Sequence, residues 1–390
     1  ELLSLPEMTD DKQLLIMNIL GLTIPAAFWT SPNLVAMITF NLTQASVEKG
    51  YAPISGYAFS WWGITECAML GNIDSGYDFG DLGIKLAEMH NLYIQQPIFF
   101  SGWMIHNYKN ALKDSLPILD KAYSISLDKG DLEYASYALN NKVQHRFHIG
   151  ESLPALLESM NKSHQMLESF KMASSLYWHN ICWQLTLNFA EQESACKTLS
   201  GIAYNEADML PLHLKENDAS TLFFLYFAKL MQSYIFQDIK ESVININKIK
   251  PYLKAGMGTY QHRLFYFYQS LTLLADSNST LKKYQNLFYV HSNQKKLKKW
   301  AKFAPMNHLH HWHLVEAEYM RVIGKPDKAM KHYDLAIEWA NKNAFIHEEA
   351  LAYELVSRFH IEYNHQRFAS YDLIQAHYLY SKWGAQGKAM

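Results

Sequence analysis

Apolar residues recur along most of this chain at spacings of three and four, which is the period of an amphipathic α-helix. The clearest case surrounds a turn at Gly324, with Ala317 before it and Ala329, Tyr333 and Ala336 after it. Small side chains let two helices approach closely, and the aromatic ring fills the space beside them. The pattern therefore predicts a helical hairpin over residues 310–343.

The same motif returns at a nearly constant interval in the first half of the chain. Its anchor residues lie 39 or 40 positions apart and are Ala36, Gly76, Ser115, Ala155 and Ala195. A repeat of this length and pattern resembles the tetratricopeptide repeat. The resemblance implies an all-α fold, a right-handed superhelix of about nine tetratricopeptide-like helical pairs. We expect a single domain over residues 1–390, with any flexure near 205–218 and loops at 207–218 and 276–280.

Composition agrees with a helical, well-packed chain. Apolar residues make up 49%, charged residues 18% and aromatic residues 14%, while the net charge is −2. This balance excludes disorder and argues against nucleic acid or an anionic lipid surface as a partner. Lys229 interrupts the longest apolar run, and that run is too short for a bilayer span, so we expect no membrane insertion. The three cysteines, Cys67, Cys182 and Cys196, favour buried thiols in a reducing, cytoplasmic compartment.

Several longer phrases resemble the helical middle region of large bacterial multidomain signalling proteins. They occupy residues 71–83, 130–138, 313–318, 348–355 and 378–388. In that family, the helical region is joined to a serine/threonine-kinase-like domain, an AAA/STAND-type ATPase, a GAF sensor and often a sensor histidine kinase. The resemblance implies that this chain, which lacks an initiator methionine, is a fragment of such a protein. The flanking ATPase, kinase and GAF domains are then its partners.

No phosphate-binding loop and no kinase catalytic motif occurs in the sequence. We therefore expect a non-catalytic regulatory or sensor module without a cofactor, which binds a protein segment or a small ligand on a concave face. The residues expected to line that face are Trp61, Trp103, Tyr137, His145, Tyr177, Trp178, Tyr226 and Tyr266. Two alternatives remain: a passive structural spacer, or an all-α toroid enzyme. The enzyme would use acidic residues such as Glu316, Glu318, Glu348, Glu349 and Glu354.

Two further patterns have a chemical and a structural interpretation. His310 and His313 share a helix face and are weak candidates for metal ligands, but no nearby residue supplies an obvious third ligand, so no metal site is predicted. The lysine run at 295–302 favours a solvated helix face. The glycines at 71, 76, 80 and 83 favour close helix packing over a phosphate-binding loop.

Overall fold

A computed structural model describes residues 2–90, 93–191, 198–276 and 280–389. These residues contain nineteen α-helices and no β-strand, which confirms the all-α prediction. The helices are α1 (Asp11–Thr30), α2 (Pro32–Lys49), α3 (Ser55–Thr65), α4 (Ile73–His90), α5 (Gln95–Phe100), α6 (Ser115–Asp128), α7 (Leu132–His148), α8 (Leu153–Phe170), α9 (Ala173–Ala190), α10 (Glu206–Lys215), α11 (Ala219–Ile235), α12 (Ile239–Ile249), α13 (Tyr260–Ala275), α14 (Thr280–Phe303), α15 (Pro305–Val322), α16 (Pro326–Lys342), α17 (Ile346–Glu362), α18 (Gln366–Trp383) and α19 (Gln386–Ala389). Two sequence-based assignments, Cys196 and the repeat anchor Ala195, lie outside the described residues, as do positions 277–279 of the predicted loop.

The predicted hairpin around Gly324 is present as α15 and α16. Gly324 has a φ of +73°, in the left-handed region that glycine adopts without steric cost. Ala317, Ala329, Tyr333 and Ala336 are buried, as the spacing indicated. Consecutive helices also pack together at α3 and α4 and at α17 and α18. The superhelix of about nine pairs stays a prediction.

Glycines bring α3 and α4 into close contact. A Cβ atom added at Gly63 would lie 2.6 Å from the backbone oxygen of Gly76, and one added at Gly56 would lie 2.7 Å from that of Gly83. Real Cβ atoms do not approach backbone oxygens so closely, so no larger residue fits at these positions without separating the helices. The interpretation of the glycines in residues 76–83 as helix-packing residues is thus confirmed.

The chain folds into two compact units. Unit 1 comprises Glu1–Lys142, Phe170–Met172 and Tyr252–Tyr260. Its core includes Met17, Ile24, Trp61, Phe99 and Met104. This core is built from the apolar faces of the first helices, as helical periodicity requires.

Unit 2 comprises Val143–Ser169, Ala173–Pro251 and Gln261–Met390. In it α17 and the end of α18 lie close to the segment after α7 and to the first turn of α8. A Cβ atom at Gly384 would lie 2.6 Å from Pro154, and one at Gly150 would lie 2.9 Å from Nδ1 of His347. A stack in which each hairpin touches only its neighbours has no such contacts. Within unit 2, packing therefore joins residues that are distant in sequence.

The loop predicted at 207–218 is wrong, because α10 occupies most of it. The Asn205 side chain accepts a hydrogen bond from the Ala207 N–H and caps the helix. Glu206 in the first turn is held by Lys229, whose Nζ lies 2.5 Å from its carboxylate. These contacts outweigh the helix-breaking tendency of Pro211, which lies inside α10.

The apolar helix α11 lies in the core of unit 2. Every side chain from Ser220 to Ile235 in this helix is buried, which accounts for its long apolar sequence. Among the described helices, none has both the length and the apolar character that a bilayer span requires.

Candidate functional site

The eight residues predicted to line a binding face differ in exposure. Tyr137, Tyr177 and Tyr266 are half-buried. The other residues are buried in the protein and are Trp61, Trp103, His145, Trp178 and Tyr226. A buried side chain presents little surface to a partner. These buried aromatic side chains instead fill the space between packed helices.

Trp61 lines a narrow cleft in unit 1. Phe28, Met69, Lys254 and Met257 are among the other residues that line it. The cavity holds about 30 Å³, which is room for one or two water molecules. A nucleotide or sugar does not fit in a space of this size.

Trp178 lines a second cleft in unit 2, with Phe147, Phe224 and Phe227 around it. Its cavity volume is about 20 Å³. The indole N–H of Trp178 donates to the hydroxyl of Thr221 at 3.0 Å, so its polar group already has a partner inside the protein. Both clefts thus belong to the aromatic core.

A buried group of titratable side chains joins α15 to α17. Nε2 of His310 lies 2.5 Å from Oε2 of Glu348, and Nε2 of His311 lies 2.7 Å from Oε1 of the same carboxylate. The side chains of all three residues are at most 3% exposed. Glu348 is the third residue of α17, where the positive end of the helix dipole stabilises a carboxylate.

The imidazoles determine the ionisation of this carboxylate. Burial alone raises the pKa of Glu348, but the charges and hydrogen bonds of His311 and His310 outweigh it and hold the pKa well below its usual range. Burial and the neighbouring His311 lower the pKa of His310 to about 4. The two imidazoles thus stabilise the ionised form of the Glu348 carboxylate.

Further histidines surround the group. Nε2 of His347 lies 3.8 Å from Oε1 of Glu348, and its ring stacks on Trp383 with the centroids 4.9 Å apart. The His308 ring lies 5.8 Å from that of His311. Burial lowers the pKa of His347 and of His308. The cluster is thus rich in imidazole nitrogen.

The sequence indicated only part of this cluster. His310 belongs to it, but His313 does not, because its Nδ1 lies 2.9 Å from Nδ1 of His332 on α16. The pairing of His310 with His313 is therefore corrected to His310 with His311 and Glu348. Helical spacing could not show this, since Glu348 is 38 residues away. No signal in the sequence distinguished Glu348 from the neighbouring acids Glu349 and Glu354.

The acidic residues considered for catalysis have hydrogen-bonding partners in the protein. Glu318 accepts from the Tyr333 hydroxyl and pairs with Arg321 at 2.7 Å. Glu354 pairs with Arg358 at 2.7 Å and with Lys388 at 2.9 Å. Glu349 accepts from Asn341 and Glu316 from Gln294. These contacts suit a structural role, and the toroid enzyme stays an untested alternative.

One face of α18 exposes a row of large apolar side chains. Phe368, Tyr371, Ile374 and Tyr378 are each more than half exposed, and their spacing of three or four places them on one side of the helix. Asp372 on the same helix is buried. We call these four residues the α18 row. A contiguous apolar surface of this kind marks an interaction site more often than a scattered set does.

The lysine run lies on α14. Lys295, Lys296, Lys298 and Lys299 are exposed, which confirms the interpretation of a solvated helix face. Nζ of Lys296 lies 3.8 Å from the centre of the Tyr266 ring, a cation–π distance. This contact covers one face of a tyrosine that was predicted to bind a ligand.

Comparison with known families finds none whose model matches the chain. The chain is similar to hybrid signal transduction histidine kinase G of Dictyostelium discoideum, with 23% identity over 180 residues. The alignment covers 44% of this chain and 5% of that protein, so the chain spans a small part of the length of this relative. The similarity is weak and points to a region of a signalling protein.

Proposed function

We propose that this chain is a non-catalytic interaction module of a multidomain signalling protein. It binds another protein surface and transmits that contact to ATPase, kinase and GAF domains of the same polypeptide. The α18 row carries this proposal, and the similarity to a histidine kinase supports the signalling context.

A protein partner fits the described surface better than a small ligand does. The two clefts that contain Trp61 and Trp178 have room for only about one or two waters each. The α18 row is apolar and has two cationic neighbours, Arg367 and Lys382, both exposed. It therefore suits an adjoining domain that presents apolar side chains with acidic residues around them.

The experiment measures binding of this chain to the separately purified kinase, ATPase and GAF domains of its parent protein. Wild type is compared with Ile374→Glu, which places a charge in the centre of the α18 row. The matched control is Gln366→Glu, which adds the same charge at an exposed position of the same helix, outside the row.

We expect one of the three domains to bind. Ile374→Glu should weaken that binding by about tenfold or more, or about 1.4 kcal/mol, because burial of an unpaired carboxylate opposes docking. Gln366→Glu should bind as wild type does. Absence of binding by all three domains would favour the passive spacer, and equal binding by both variants would exclude the α18 row as the contact.

A further inference from the structure

Three donor groups in the buried cluster converge on one point. Nε2 of His310, Nε2 of His311 and a carboxylate oxygen of Glu348 all lie within 4.8 Å of one another. The aromatic rings of Phe345 and Phe267 lie against the two imidazoles, at 4.7 Å from His310 and 4.5 Å from His311. The donors therefore face each other inside a shell that excludes water.

The carboxylate at the centre of the cluster is deeply buried. Glu348 is only 2% exposed. Among the described residues, its ion-pair partners are His310, His311 and His347, with no lysine or arginine in contact. A buried carboxylate without a cation is strongly destabilising. The cluster can be neutralised either by a proton on an imidazole or by a metal ion.

We propose that His310, His311 and Glu348 bind a divalent first-row transition-metal ion such as Zn²⁺. Imidazole nitrogen with one carboxylate is a donor set that Zn²⁺ accepts. Ca²⁺ and Mg²⁺ prefer oxygen ligands and are excluded by the nitrogen donors. This proposal is independent of the proposed docking function.

The distances fit a small ion after a modest adjustment. Neighbouring ligand atoms of a tetrahedral zinc ion with bonds of about 2.0–2.1 Å are about 3.3 Å apart. The contacts of His310 and His311 with the carboxylate are 2.5 and 2.7 Å, so they must open by less than about 1 Å. Nε2 of His347 lies 3.8 Å from Oε1, beside the group of three ligands.

Each ligand uses an atom that already points toward the carboxylate. When the ion binds, each coordinating imidazole keeps its proton on Nδ1, and any proton on Nε2 leaves to solvent as the nitrogen lone pair coordinates the ion. Nδ1 of His310 and Nδ1 of His347 are buried without a hydrogen-bond partner among the described residues. They do not compete for the ion, since they point away from the Nε2 atoms of their rings.

The bound ion would tie α15 to the first turn of α17. Two consecutive ligands come from α15 and one from α17, so coordination fixes the position of one hairpin against the next.

The experiment begins with the whole chain, stripped of metal by a chelator, loaded with Zn²⁺ and separated from free ion by gel filtration. Metal content is then measured by mass spectrometry for wild type, Glu348→Gln, His311→Gln and two controls. The controls are His313→Gln, which tests the alternative histidine pair, and His291→Gln, which removes an exposed imidazole.

Wild type and both controls should hold about one ion per chain and should melt at higher temperature with Zn²⁺ than without it. The metal content of Glu348→Gln and of His311→Gln should be at least about tenfold lower than that of wild type, as expected when a ligand is removed. The substitution Glu348→Gln keeps the shape of the side chain. Thermal melting of this variant in the absence of metal shows whether it is folded.

Three outcomes would overturn the proposal. One is wild-type protein without stoichiometric zinc, which would leave a protonated histidine as the sole counter-charge. Another is full zinc retention by folded Glu348→Gln, which would indicate that the zinc is bound by surface histidines instead. The third is Co²⁺-loaded wild type without the visible bands of a tetrahedral site, a result that does not depend on any variant.

Discussion

The indole N–H of Trp383 donates a hydrogen bond to the backbone carbonyl of Glu151, 3.0 Å away, although 232 residues separate them in the chain. The Trp383 ring also packs against Phe147 and Phe189, with centroids 5.9 and 5.6 Å away. Trp383 is fully buried. It thus fastens the end of α18 to the segment after α7 inside unit 2.

Trp383→Ala should lower the free energy of unfolding by about 3–5 kcal/mol, because it leaves a large cavity among aromatic rings. Trp383→Phe should cost less, since most of the ring volume remains and only the hydrogen bond to Glu151 is lost. Urea denaturation followed by circular dichroism measures both. A Trp383→Ala protein within about 1 kcal/mol of wild type would contradict the role of this contact.

The glycine contact between α3 and α4 gives a second prediction. Gly63→Ala should destabilise the protein by about 1–3 kcal/mol, because the new Cβ would meet the backbone oxygen of Gly76. Gly80→Ala is the matched comparison, since its Cβ would meet only the side chain of Ile105, 2.8 Å away. The contact is with a side chain rather than with backbone, and alanine favours the helix by about 1 kcal/mol, so Gly80→Ala should cost less than Gly63→Ala. Thermal melting of both variants distinguishes the two cases.

These two contacts also show what the sequence could and could not predict. The packing role of Gly76 follows from small residues at helical spacing and was predicted, but its partner Gly63 was not identified from the sequence. The contact of Trp383 with Glu151 was not predicted, because a repeat pattern specifies only neighbours along the chain. A tryptophan can fill space against many different segments. The presence of Trp383 therefore does not predict which distant segment it contacts.

The candidate site shows the same limit. His310 was visible as part of a histidine-rich segment, but Glu348 looked like one acid among several on α17. Their meeting depends on how one hairpin is placed on the next, and helical periodicity within a hairpin does not specify that placement. Trp61, Trp178 and Tyr226, which were predicted to line a binding face, are buried in the protein. The sequence does not specify how each helix is rotated about its axis, so it does not decide whether such an aromatic residue faces the core or the surface.

The buried ion pair of Lys229 and Glu206 gives a third prediction. Lys229→Met should lower the free energy of unfolding by about 3–5 kcal/mol, because it leaves the Glu206 carboxylate buried without its cation. The double variant Lys229→Met with Glu206→Gln should recover part of that loss. The control is Lys162→Met, which breaks an exposed pair with Glu158 and should change stability by less than about 0.5 kcal/mol. Chemical denaturation of wild type, Lys229→Met, Glu206→Gln and the double variant gives the coupling energy. Equal losses for Lys229→Met and Lys162→Met would disprove the assignment.

Asp372 should make stability depend on pH. Burial and the nearby Asp334 raise the pKa of Asp372 to about 6 in the folded protein, above its usual value. The folded state therefore keeps a proton that the unfolded state has already lost, and wild-type stability should fall as the pH rises through about 4 to 6.

Asp372→Asn removes this dependence. Its gain in free energy of unfolding over wild type should be close to zero at pH 4 and about 1–2 kcal/mol at pH 7, after allowance for solvent screening. Urea denaturation at several pH values measures this difference. A gain that is the same at all pH values would contradict the raised pKa.

The central claim, that the α18 row is a docking surface, is tested most directly by hydroxyl-radical footprinting. Oxidation of Phe368, Tyr371 and Tyr378 is compared between this chain alone and the multidomain parent protein that we propose contains it, with the exposed Tyr284 on α14 as an internal reference. We predict that the three residues of the α18 row are oxidised in the isolated chain and protected in the parent protein, while Tyr284 reacts equally in both. Equal oxidation of the row in both proteins would contradict the claim.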